Sequence, residues 1–139
     1  MTQQNKDTVR RVFEEIWSDS KIELVDELYC EAYVAHIANT PEEVRGTERF
    51  KQFIALYGAV APDLHFQVQD QIAEADKVAT RWVARGSPMG GAAEQMVITG
   101  ISIHRLEDGK IAESWDNWDA LSAIQAVGAD LFETVSLSL

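Results

Sequence analysis

The segment Glu113-Ser114-Trp115-Asp116-Asn117-Trp118-Asp119 crowds three carboxylates and two indoles into one short stretch. A carboxylate set among indoles is poorly solvated, so its protonation equilibrium moves towards neutral pH, where it can both take a proton and return it. Asp116 is the leading candidate for that work, with Trp115 and Trp118 as low-dielectric walls and flat contact surfaces for an aromatic ligand. Asp119 precedes Ala120-Leu121-Ser122 and suits a helix cap as well as a substrate contact. Glu113 reads most simply as an exposed strand residue paired with a cation. The chain has three histidines, His36, His65 and His104. No two share the spacing of a metal site, and Cys30 stands alone, so neither a metal nor another cofactor is expected. His36 and His104 are the imidazoles placed to act with Asp116, His36 by polarising a carbonyl or positioning an enolate. His65 alternates with Gln67, Gln69 and Gln71 and is expected to face solvent.

The turn before this segment decides which side chains share a face. If Glu107-Asp108-Gly109 forms a three-residue loop with a bulge, Leu106 pairs with Lys110, and Gly100 faces Asp116 while Ser102 faces Ser114 and His104 faces Ala112. If Asp108-Gly109 is a two-residue turn, Glu113 faces His104, and Asn117 and Asp119 move to that side. The Glu-Asp-Gly-Lys pattern leans towards the bulged loop, and so towards Asp116.

The elements that carry these residues follow from periodicity. Val9, Val12, Phe13, Ile16 and Trp17 recur at helical spacing until Ser18-Asp19-Ser20 breaks the helix. A shorter helix follows with Leu24, Val25, Leu28 and Tyr29 on its buried side, then a short strand over 33–37. Thr40-Pro41-Glu42-Glu43 has the signature of a helical turn. Thr47 is placed to cap a third helix carrying Phe50, Phe53, Ile54 and Tyr57 and ending near Gly58. From Asp63 the period becomes two: Leu64, Phe66, Val68 and Ile72 are expected on one buried face. Further strands are expected over 78–85, 95–106 and 111–118. A closing helix over 119–127 completes the pattern, with Gly128 as its stop. The helices span about 5–58 and the sheet about 63–118 of a single α+β domain over residues 1–139.

This order of elements resembles the nuclear transport factor 2-like superfamily and, within it, the SnoaL-like polyketide cyclases, also called ester cyclases. The resemblance rests on Tyr33…His36, Gly46, Pro62-Asp63-Leu64, Gly86-Ser87-Pro88-Met89-Gly90, and Asp108-Gly109-Lys110-Ile111…Glu113…Trp115…Asp119. It implies a cone-shaped, cystatin-like barrel, with N-terminal helices packed on a curved antiparallel sheet that encloses a pocket, and a homodimer packed sheet on sheet. In cyclases of this family the acid/base aspartate lies eight residues past the turn aspartate, which here is Asp116. The substrate contacts expected around it are Tyr33, Trp82, Ser102, Trp115, Trp118 and Asp119. The sequence departs from the pattern at Gly100 and Ser102, where the family carries Gln-x-His, and at Pro88, where histidine is common.

Charge and composition bound the partners. With 12 Lys+Arg against 23 Asp+Glu the formal net charge is −11, which disfavours nucleic acid and anionic lipid alike. The polar N-terminus and the absence of a long apolar run point to no membrane span and a cytoplasmic location. The expected activity is acid/base catalysis on a small hydrophobic or aromatic carbonyl ligand, most simply an intramolecular aldol cyclisation. The alternatives are a non-catalytic binding or dimerisation module, or a hydrolase, dehydratase or isomerase on the same scaffold.

Overall fold

The computed structural model describes residues 2–38, 40, 42–87 and 96–122. Helix α1 (Thr2–Arg11) runs on into a π-helical segment, Val12–Trp17. Its apolar stripe is buried as the spacing predicts, with Val9, Val12 and Ile16 fully enclosed. The wider π winding swings Phe13 and Trp17 together towards the sheet. Ser18 ends it: both its backbone N–H and its hydroxyl reach the Phe13 carbonyl, while its Oγ accepts from the Phe66 backbone N–H at 2.8 Å. A 3₁₀ turn (Ile22–Leu24) leads into α2 (Val25–Leu28).

Tyr29 opens strand β1 (Tyr29–Ile37) instead of closing the second helix, so this strand is longer than its apolar core predicts. The turn expected at Thr40 is not helical. Thr40 Oγ1 bonds the Ile37 and Glu42 carbonyls, and the chain enters a short strand β2 (Val44–Arg45). Pro41 lies outside the described residues. Helix α3 (Thr47–Val60) starts one residue earlier than expected, with Gly46 and not Thr47 at its cap position. Strands β3 (His65–Glu74), β4 (Lys77–Gly86), β5 (Met96–Glu107) and β6 (Lys110–Trp118) follow. Of the Gly86–Gly90 motif only Gly86 and Ser87 are described, and Asp63 Oδ1 accepts from the Ser87 backbone N–H at 2.7 Å, which ties that motif to Pro62-Asp63-Leu64. Residues Ala120–Ser122 begin a helix, and the rest of the predicted closing helix, with Gly128, lies outside the described residues.

All six strands form one curved sheet in the order β2-β1-β6-β5-β4-β3. The barrel implied by the resemblance is therefore not closed. Neighbours are antiparallel except β1 and β6, which run parallel. The helices cover one face, and the core lies between them and that face.

Two bulges set which residues face the core. In β3 the register slips between Val68 and Asp70, so Gln71 turns inward to Thr80 and Ile72 turns out, 74% exposed. That reverses the face expected for Ile72. In the β5–β6 hairpin, Asp108 (φ 49) and Gly109 (φ 81) both take left-handed backbone, making the two-residue turn that suits antiparallel strands, with Glu107 opposite Lys110. The three-residue loop favoured by the sequence is thus overturned. A bulge at Ala112 then adds a residue, so that Arg105 lies opposite Glu113 and His104 opposite Ser114. The added residue restores the parity that the shorter turn had changed.

Candidate active site

With that register Gly100, Ser102 and His104 of β5 share the inner face with Ser114, Asp116 and Trp118 of β6, and Ser102 lies directly opposite Asp116. They face Phe13 and Trp17 from the π segment, Phe50, Phe53 and Tyr57 from α3, and Tyr29 and Tyr33 from β1, around a cavity of about 90 Å³. The aromatic lining is continuous. Trp82 touches Phe13 and Phe66 with ring centroids 5.9 and 5.2 Å apart, and Tyr29 meets Tyr33 at 4.6 Å.

Against this wall the polar groups are few. The Ser114 hydroxyl donates to Asp116 Oδ2 at 3.0 Å. The Ser114 proton is then committed, so Tyr33 donates to Ser114 Oγ across 2.6 Å. Tyr33, Ser114 and Asp116 therefore form a directed chain that fixes the carboxylate. Burial lifts the Tyr33 phenol well above its ordinary range, and the nearby Asp116 charge adds to the rise. Burial likewise pushes the His104 imidazole below its ordinary range, against the opposing pull of Asp116, so it stands neutral.

Trp82 and Ser102 form a second fixed pair, the indole Nε1–H donating to Ser102 Oγ at 3.0 Å. The Trp82 ring lies flat over Gly100. A Cβ at that position would stand 2.2 Å from Trp82 Cζ2. Glycine at 100 and serine at 102, where the family carries Gln-x-His, thus have one physical cause. The indole occupies the space over the first position and supplies a hydrogen bond to the second.

Of the predicted site residues, Asp116, His104, Tyr33, Trp82, Ser102 and Trp118 line the cavity. His36, Trp115 and Asp119 do not. The parallel pairing sets His36 beside Trp115 on the other face of the sheet, where their rings stack at 5.4 Å. There His36 Nε2 meets Glu113 at 2.7 Å, and Glu113 is held in turn by Arg105 at 3.2 Å. His36 and Trp115 border a separate outer cleft with Glu42 and Glu43, and Ile37 and Asp116 line both that cleft and the cavity. Asp119 is a helix cap: Oδ1 accepts the Ser122 backbone N–H and Oδ2 its hydroxyl. Sequence reasoning missed Tyr29, Phe13, Trp17 and Tyr57 as cavity residues. The only signal was their recurrence on apolar faces, which also describes ordinary core. Among the described residues no three His, Cys, Asp or Glu side chains gather as a metal site, and no helix is long and apolar enough to cross a membrane. Cys30 is half-buried, and burial raises its thiol above the usual range, which makes it a poor nucleophile.

The sequence profile of the SnoaL-like polyketide cyclases matches residues 7–127, and the chain belongs to that family. Solved structures agree on the fold. A candidate SnoaL-like polyketide cyclase from Jannaschia sp. CCS1 superposes with a TM-score of 0.82 at 23% identity, over 92% of this chain and 94% of that one. IdmH of Streptomyces antibioticus, a candidate polyketide cyclase, superposes at 0.78 with 26% identity, over 88% and 97%. A candidate polyketide cyclase from Bacillus cereus ATCC 10987 gives 0.78 at 25% identity, over 90% and 80%. A comparison with curated proteins finds no match.

Proposed function

We propose that this chain is an acid/base enzyme acting on a small apolar carbonyl compound, by an intramolecular aldol cyclisation in which Asp116 carries the proton. The observation that supports this best is that, among the described residues, one carboxylate, held by Ser114 and through it by Tyr33, lines a cavity whose other walls are mainly aromatic and aliphatic. Asp116 removes a proton alpha to one carbonyl. The resulting enolate carbon attacks a second carbonyl of the same molecule, and the electron pair of that C=O moves onto its oxygen. The protonated Asp116 then returns the proton to the alkoxide, so the step is balanced without a co-reactant. Ser102 is the companion donor. Its oxygen accepts from Trp82, which leaves its own proton for the substrate oxygen on the strand opposite Asp116. The family membership and the likeness to IdmH, a candidate polyketide cyclase, support a cyclase over other chemistries of the fold.

The test is turnover of heptane-2,6-dione, a linear diketone that closes to a six-membered ring. Asp116→Asn is expected to lower kcat by about 10²–10⁴-fold with little change in KM or melting temperature. Undiminished turnover in a folded Asp116→Asn protein sinks the proposal. A homodimer packed sheet on sheet belongs to the same reading. It is supported by Val97, Ile101 and Ile103, exposed together on the outer face of β5. Sedimentation at a dimer's mass is the expected result.

A further inference from the structure

Two polar atoms in the cavity wall have no hydrogen-bond partner among the described residues: the Tyr29 hydroxyl and His104 Nδ1. Both side chains are almost wholly enclosed, at 2% and 3% exposure, and both line the cavity. Buried polar atoms are nearly always paired, so two orphans on residues that line one cavity mark places where a ligand supplies the partner. Their neighbours show the contrast. Tyr33, in ring contact with Tyr29, has its hydroxyl committed to Ser114, and Ser102, two residues from His104, is held by Trp82.

The two anchors differ in what they offer. Burial lifts the Tyr29 phenol well above its ordinary range, so it stays protonated and meets an acceptor as a donor. The neutral His104 ring offers either a proton or a lone pair at Nδ1, according to tautomer.

We infer that Tyr29 and His104 are two further polar anchors of the substrate cavity, and that its ligand is a flat compound carrying two oxygen functions. This rests on the cavity being the substrate site, and it does not depend on Asp116 acting as acid and base. A 1,3-dicarbonyl ring or its enol has the required groups, with one oxygen for each anchor and an acidic carbon between them.

The probes are resorcinol, which carries two oxygens on one ring, and benzene, which carries none. Their binding to the full chain is read by ligand-observed NMR titration. Resorcinol is expected to bind at least about tenfold more tightly than benzene, as one or two ligand hydrogen bonds require. Tyr29→Phe should remove about tenfold of that preference and leave benzene binding unchanged. Because it deletes an unpartnered hydroxyl and nothing else, the same variant should melt at or above the wild-type temperature.

Failure of wild-type protein to prefer resorcinol over benzene would overturn the inference. Resorcinol binding unaffected by Tyr29→Phe, or a lowered melting temperature in that variant, would do the same. Repeating the titration with Asp116→Asn separates the two proposals, since the preference for two oxygens should survive there even as turnover is lost.

Discussion

On β6 the side chains of Ser114, Asp116 and Trp118 lie on the inner face of the sheet, Asp116 and Trp118 lining the cavity, while those of Glu113 and Trp115 lie on the outer face, and each set has an imidazole beside it. Outside, His36 is bound by Glu113 and lies near Glu43, Arg105 is shared between Glu113 and Glu107, and the indole of Trp115 stacks on His36. Paired charges at a wet surface have spent their capacity for chemistry, and they add little stability. Inside, Asp116 is fixed from one side by Ser114, His104 is kept neutral by burial, and the Tyr29 hydroxyl and His104 Nδ1 have no hydrogen-bond partner among the described residues. The same residue types on alternate positions of one strand thus give an ion-pair cluster on one face and a reactive cavity on the other. The deciding variables are access to water and whether each polar atom is already satisfied.

Exchanging the two β6 carboxylates for amides breaks this comparison most directly. Asp116→Asn should cost orders of magnitude in turnover, as above. Glu113→Gln, which lies outside the cavity, should leave turnover unchanged.

Next in size is Gly100→Ala, whose methyl collides with the Trp82 ring. Overpacking of this kind costs about 1–3 kcal/mol. Chemical denaturation should show that loss, and turnover should fall as well because a displaced indole releases Ser102.

A smaller effect concerns pH. Burial lowers the His104 pKa in the folded state, so the unfolded chain binds the proton more readily. The stability associated with neutral His104 is therefore fully present above the ordinary imidazole value of about 6.5 and is lost as pH falls below it, with a slope of at most ~1.4 kcal/mol per pH unit. Melting temperatures measured from pH 7 to pH 5 should fall less steeply in His104→Leu than in the wild type.

The smallest change belongs to the outer face. Hydrogen bonding to His36, with Arg105 adding to it, holds the Glu113 carboxyl below its usual range. Its contribution to stability is present above the ordinary carboxylate value of about 4.3 and is lost as pH falls through the lowered folded value. Glu113→Gln should remove that acid-side dependence with only a slight change in melting temperature at neutral pH.

The fold was legible because helical and two-residue periods are long-range signals: Val9 to Trp17 and β4 to β6 read correctly from spacing alone. The site was legible only in part, because single inserted residues decide faces and leave little trace in composition. The turn at Asp108-Gly109 is shorter than its sequence suggests, and only the bulge at Ala112 returns Asp116 to the side of His104. The bulge at Gln69 turns Ile72 out by the same means. His36 was misplaced because the parallel pairing of β1 with β6 is a tertiary choice, invisible in either strand alone. Trp82 over Gly100 is likewise a contact between strands, and it gives a physical reason for a glycine that in the sequence looked like a lost polar group.

The central claim, that Asp116 moves a proton at carbon, is tested most directly by hydrogen exchange. Acetophenone incubated with the protein in D₂O and followed by NMR should exchange its methyl protons faster than in buffer. With Asp116→Asn the rate should return to that of buffer. An undiminished rate in the folded variant, or no acceleration by the wild type, would contradict the account.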